Sequence, residues 1–134
     1  MLHFRNCENL RLAHLRIGHF LKKGYCSGAV LNLDSVKNVS LEHLDLYGCG
    51  TYGYEARNSE NITLSDSVIR NCTYGLVDAV GCRDLEIVRT VFKDTSTNLP
   101  LFALAHSRLE LRGCTFHNVY GKMEDLSVTG GSAE

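Results

Sequence analysis

Two carboxylates and an arginine are the residues best placed for chemistry. The segments Tyr54-Glu55-Ala56-Arg57 and Val77-Asp78-Ala79-Val80 lie 23 positions apart and alternate at period two. That alternation is the mark of a strand with one face inward and one outward. Laid side by side, the segments make Glu55 and Asp78 outward neighbours about 5 Å apart. Two carboxylates that close repel when both are ionised, so one is expected to bind its proton more tightly. Such a pair suits acid and base work on a sugar, or a divalent cation such as calcium. Asn32, in the same outward column, and Arg57 beside it would hold substrate. Tyr25, Tyr47, Tyr52 and Tyr74 gather near the adjoining turn, and Tyr25, Tyr52 and Tyr74 offer flat rings on which a sugar stacks. The competing reading is plain: a wet face with compensating charges, and tyrosines that fill space.

Other constellations say less. His14, His43, Asp66 and Arg89 share one column of a turn, where two imidazoles and a carboxylate could hold a metal. Neighbours in a turn are more often simple hydrogen-bonding partners, and no metal ligand is assigned. Arg16 and Asp45, two residues further on, read as a surface salt bridge. The six cysteines lack zinc-type spacing. Cys26, Cys49, Cys72, Cys82 and Cys114 recur at repeat-like intervals and read as reduced, small, packed thiols. The triplets Asn38-Val39-Ser40, Asn61-Ile62-Thr63 and Asn71-Cys72-Thr73 fit a glycan acceptor, but their place in the repeat explains the asparagines better.

All of these side chains hang on a repeat. Asn9-Leu10-Arg11-Leu12, Asn38-Val39-Ser40-Leu41, Asn61-Ile62-Thr63-Leu64, Asp84-Leu85-Glu86-Ile87 and Arg108-Leu109-Glu110-Leu111 superimpose at steps of 29, 23, 23 and 24. A second apolar column follows at Ile17, Leu46, Ile69, Phe92 and Phe116. A third precedes at Leu2, Leu31, Tyr54, Val77 and Leu101. Three short strands per period describe a coil whose successive turns pair in parallel. One turn cannot bury its own inner face, so the core exists only when turns stack. Asn9, Asn38, Asn61 and Asp84 would form a side-chain ladder at one bend, and Asn71, Asp94 and Asn118 at another.

This pattern resembles the right-handed parallel β-helix of the pectate-lyase-like superfamily over residues 2–120. The stretches Ile17-Gly18-His19, Gly24-Tyr25-Cys26-Ser27-Gly28 and Leu46-Tyr47-Gly48-Cys49-Gly50-Thr51-Tyr52-Gly53 are similar to uncharacterised bacterial β-helix repeat proteins. The expected fold is therefore all-β, a right-handed solenoid of about five rungs. A left-handed β-helix lacks its hexapeptide period here, and a leucine-rich repeat lacks its consensus. The resemblance implies an acidic polysaccharide as ligand, with outward charged residues carrying any lyase, hydrolase or epimerase chemistry. No catalytic signature maps across: Gly18-His19-Phe20 is not Gly-His-Gly, and the aspartate and arginine motifs of those enzymes are missing. A non-enzymatic scaffold or assembly module is the alternative.

Length and composition agree with one soluble domain. The chain has 134 residues, 44% of them apolar, and 14 basic residues against 15 acidic ones. That balance argues against a nucleic-acid binder, and no apolar run is long enough to span a membrane. The first residues lack a signal-peptide layout, so a cytoplasmic place is expected, or a secreted one if the chain is a fragment. One β-helix domain is expected over 1–120, with a frayed polar tail over 121–134. The stretch Leu99-Pro100-Leu101-Phe102-Ala103-Leu104-Ala105 is apolar on both faces. With Phe102 and Leu104 outward beside Val80, it predicts a homo-oligomer through that strip.

Overall fold

Corners fix the path of the chain. The computed structural model describes residues 2–18, 29–48, 52–72, 74–122, 126–129 and 132–133; the side chains of 98, 99 and of residues after 121 lie outside that description. Within it, 15 residues other than glycine have positive φ. They fall into columns that repeat with the period: Asn6, Ser35, Asn58, Gly81 and His106; Asn9, Asn38, Asn61 and Asp84; His14, His43, Asp66, Arg89 and Gly113; Gly48, Asn71, Asp94 and Asn118. Asn, Asp and Gly enter this left-handed region most easily, and no β-branched residue is among them. Each corner turns the strand while keeping neighbouring turns stacked.

A small hydroxyl or thiol residue follows most corners and completes them. Ser59 Oγ donates to the Arg57 carbonyl at 2.8 Å and accepts the Val36 amide of the previous turn at 3.1 Å. Ser67 does the same with Ser65 and Leu44, Thr95 with Lys93 and Cys72, and Ser107 with Ala105 and Cys82. Cys82 and Cys114 fill equivalent positions, their thiols turned to the carbonyls of Val80 and Arg112. Ser59, Ser67 and Thr95 are buried with these bonds made, and buried Thr90 donates to the Val88 carbonyl at 3.0 Å, so the amides of Val36, Leu44 and Cys72 are satisfied where the backbone bends.

The described residues form fifteen strands, several of which run through a corner. They are β1 (Leu2–Arg5), β2 (Arg11–Gly18), β3 (Leu31–Asp34), β4 (Lys37–Tyr47) and β5 (Tyr54–Arg57). Then come β6 (Glu60–Ser65), β7 (Val68–Arg70), β8 (Val77–Val80), β9 (Arg83–Val88) and β10 (Val91–Pro100). The last are β11 (Phe102–Ala105), β12 (Leu109–Arg112), β13 (Thr115–Lys122), β14 (Leu126–Thr129) and β15 (Ser132–Ala133). The first sheet stacks β1-β3-β5-β8-β11, so five turns contribute to it. The second orders β14-β12-β9-β6-β4-β7-β10-β13-β15, with β2 on β4. Every pairing is parallel. The expected solenoid is the observed one, and its inward columns Leu31, Leu41, Leu46, Leu64, Ile69, Ile87 and Phe92 are buried.

The fifth turn departs from the expected register by one residue. Phe102, not Leu101, pairs with Val77, and Ala103 rather than Phe102 stands beside Asp78. Phe102 therefore points inward and is 1% exposed. It meets Phe92 edge-on at 5.4 Å, and Phe92 stacks on Phe116 at 5.0 Å. Three aromatic rings at one end of the core outweigh the alternative of burying Leu101 alone. Leu101 is buried as well, beneath Gly121, where a Cβ would lie 2.7 Å from its Cγ. The outward apolar strip of Val80, Phe102 and Leu104 is thus not formed: Ala105 lies beside Val80, and Leu104 packs against the core.

Two further expectations change. The tail does not simply fray, because β14 pairs with β12 and β15 with β13, adding another layer to the second sheet. The cysteines are not uniformly thiols: Cys7, Cys82 and Cys114 are free, but Cys72 is disulfide-bonded. Cys26 and Cys49 lie outside the described residues.

Candidate functional site

β5 and β8 place the expected cluster on the outer face of the first sheet. Glu55 pairs in register with Asp78, and Asn32 on β3 with Glu55. Arg57, two residues after Glu55, reaches back between the acids. Its Nη2 lies 3.0 Å from Glu55 Oε1 and 2.9 Å from Asp78 Oδ2. The carboxylates are therefore joined through one cation rather than set against each other. Burial works against the Arg57 charge, but the hydrogen bond to Asp78 and the charges of Asp78 and Glu55 prevail and hold the guanidinium above its ordinary value. Asn32 is turned away from the pair, its amide donating to the Ala29 carbonyl at 3.0 Å.

Tyr52 stands at the edge of this cluster. Burial pushes its phenol up, and the negative charges of Asp78 and Glu55 add to the effect, with a smaller contribution from Tyr74. The ring lies across Gly75, where a Cβ would sit 2.7 Å from Tyr52 Cε1 and 2.9 Å from the Pro100 carbonyl oxygen. Glycine at 75 is what leaves room for the ring edge there. Tyr74 is exposed, so two tyrosines border the charged face. Tyr25 lies outside the described residues.

Tyr47 belongs to a different arrangement. Its ring covers Gly18 and sits between the guanidinium carbons of Arg16 and Arg70, at 5.2 and 4.6 Å from the centroid. Arg70 takes Asp45 in two bonds of 3.0 and 3.1 Å, so the expected Arg16–Asp45 pair at 3.4 Å is the weaker half of a shared bridge. Nothing in the sequence pattern singled out Arg70.

The histidine column is only half assembled. His14 and His43 stack with ring centroids 4.8 Å apart and planes 6° off parallel. Asp66 turns instead to Arg89, which grips it at 2.8 and 3.0 Å and holds its carboxyl below the ordinary range. Among the described residues no group of three or more His, Cys, Asp or Glu is arranged to hold a metal. Burial raises the Cys82 and Cys114 thiols, which makes both poor nucleophiles at neutral pH.

The stacked parallel turns, the left-handed corners and the inward columns are now all in place, and a family model described as a right-handed β-helix region matches residues 3–132. The chain belongs to that family. No curated protein matches it. Membership of the β-helix family explains the architecture and leaves the activity to the surface. Two concave volumes of this β-helix lie away from the Arg57 cluster. One, of about 460 Å³, is lined by residues including Arg83, His106 and Arg108; the other, of about 570 Å³, lies over β4, β6 and β9.

Proposed function

We propose that this β-helix is a carbohydrate-binding module, holding an acidic polysaccharide against the Glu55–Arg57–Asp78 face with Tyr52 and Tyr74 as its aromatic edge. The observation that carries the reading is the single Arg57 nitrogen shared by two carboxylates, next to the Tyr52 ring on Gly75. A uronate entering here competes with Glu55 or Asp78 for Arg57, or meets the two acids through calcium. Counting Glu55, Arg57 and Asp78 gives one net negative charge, which favours the calcium route. Binding is preferred to cleavage because Arg57 already engages both candidate catalytic acids, leaving neither poised as a lone acid or base.

A glycan array probed with and without calcium tests the reading. Retention of acidic oligosaccharides that is lost in Tyr52→Ala and Arg57→Ala is expected, with no chain cleavage. Turnover that disappears in Glu55→Gln or Asp78→Asn would instead make the module an enzyme. The scaffold alternative draws on the same ion pairs, which close on themselves as a self-sufficient surface would. It gains if no glycan is retained under either condition.

A further inference from the structure

The first turn of the coil is less closed than the turns that follow it. Leu2, Phe4, Leu12 and Ile17 are only partly buried, and Leu15 is 37% exposed. Their partners one turn on, Leu31, Leu33, Leu41, Leu46 and Leu44, stand in the same columns and are 2% exposed or less. β1 pairs with β3 and β2 with β4, and among the described residues no strand lies on the outer edge of either. The ladder fixes which groups are left over. Ser40 donates to the Leu10 carbonyl, and alternation along a parallel strand then turns the Arg11 and Ala13 amides toward the open edge. Neither strand carries a proline, so this edge is a template for another strand.

The other end of the coil offers the matching columns. β14 lies on β12 with Val128 at Leu111, and β15 lies on β13 with Ala133 at Phe116. Followed back turn by turn, the Val128 column runs through Ile87, Leu64 and Leu41 to Leu12. The Ala133 column runs through Phe92, Ile69 and Leu46 to Ile17. By the same register Ser127 shares a column with Arg11, and Ser132 with Arg16. Val128 and Ala133 are five positions apart, as are Leu12 and Ile17. A copy set on this end therefore meets β14 and β15 with β2, residue for residue across the corner.

Charge selects this partner over a second first turn. Residues 2–18 carry Arg5, Arg11 and Arg16 against Glu8, whereas residues 122–134 carry Glu124, Asp125 and Glu134 against Lys122. The three arginines are 66–70% exposed and reach Asp34, Glu42 and Asp45 at only 3.4–3.5 Å. Two first turns brought together would set these arginines against each other, while a last turn brings the opposite balance. We propose that a second copy of this chain docks its last turn, β14 and β15, on the open edge of β2, continuing the solenoid from one molecule into the next. The contact is heterologous and leaves one open end on each copy, so it grows into linear assemblies rather than closing as a pair. It uses neither the Val80 strip nor the Arg57 face, and it does not depend on sugar binding.

Sedimentation velocity of the full chain at low salt, across the micromolar range, provides the test. The sedimentation coefficient should climb with concentration past that of a dimer, and fall back at high salt as the charges are screened. Ala13→Pro removes a donor from the open edge and should weaken association about tenfold. Arg11→Glu with Arg16→Glu reverses the charge of that edge, and Ser127→Lys with Ser132→Lys blocks the opposite end. Each of these double variants, with the wild-type circular-dichroism spectrum, should stay monomeric where the wild type associates. An equimolar mixture of the two should stop at the dimer. The proposal is overturned by a wild type that is monomeric throughout, by Ala13→Pro and Arg11→Glu with Arg16→Glu associating as the wild type does, or by a mixture that fails to dimerise. Association of the Ser127→Lys, Ser132→Lys variant by itself would place the contact between two first turns and overturn it equally.

Discussion

The two outward faces share one backbone lattice and end up with opposite character. On the first sheet, Glu55, Arg57 and Asp78 occupy adjacent cells and collapse onto one another. On the second, the long charged residues stand at the ends and walls, bonded among themselves, and the middle is left open. Parallel stacking sets the cell spacing in both. What differs is whether opposite charges fall within one side-chain length across neighbouring strands. A β-helix can therefore write a closed or an open surface with the same rungs, by moving a charge one cell.

The largest expected effect removes both faces together. Phe92→Ala takes out the central ring of the Phe92–Phe102–Phe116 group, and should cost about 3–5 kcal/mol in chemical denaturation. Both faces rest on that core, so ligand binding at the first should fall in parallel with the folded fraction. Gly75→Ala separates them. Its Cβ would meet Tyr52 and two backbone oxygens at 3.0 Å or closer, which should cost about 1–3 kcal/mol. It should displace the tyrosine edge of the first face and leave the second-sheet face unchanged in an amide spectrum.

Arg57→Ala leaves two partly buried carboxylates side by side and should cost about 1 kcal/mol in a thermal melt, measured at modest salt. Arg89→Ala, at an exposed pair, should leave the melting temperature unmoved. Equal losses from the two substitutions would erase the distinction between a collapsed face and an open one.

The smallest effect is a titration. Hydrogen bonds from Ser40 and Arg11 hold the Glu42 carboxyl below its ordinary value, and Arg89 does the same for Asp66. A carboxyl lowered in the folded state adds stability above its unfolded pKa and loses it as pH falls through the folded one. The Glu42–Arg11 and Asp66–Arg89 contacts should thus persist from neutral pH to below the point at which an ordinary carboxyl takes up its proton. Carboxyl-carbon shifts should show Asp66 moving back up in Arg89→Ala.

Much of this was legible in the order of residues, because a solenoid repeats its instructions. Asn9, Asn38, Asn61 and Asp84 recur where only a residue tolerant of left-handed backbone fits, and the inward columns recur between them. Register failed where repetition failed. From Leu99 to Ala105 every residue is apolar or proline, so alternation carries no phase, and only packing among Phe92, Phe102 and Phe116 selects it. The Glu55–Asp78 pairing could be read from spacing, but the reach of Arg57 between them is a matter of side-chain length and direction. Ser59, Ser67, Thr95 and Ser107 are not marked as corner residues by the sequence, because a small hydroxyl after a turn has the same pattern as ordinary surface and differs only in the amide it satisfies. The hollow over β4, β6 and β9 is unmarked for a related reason: its signal is the smallness of Ser40, Thr63 and Ser65 relative to neighbours in space.

Sugar binding at the first-sheet face, as proposed, depends on Arg57 and Tyr52. Calorimetric titration of an oligouronate in the presence of calcium, into wild type, Arg57→Gln and Tyr52→Ala, tests it most directly. The wild type should bind saturably, with a loss of about tenfold or more in each variant, consistent with removing one charged hydrogen bond or one stacking ring. Wild-type affinity retained by both folded variants, or no heat with any of the three, would contradict it.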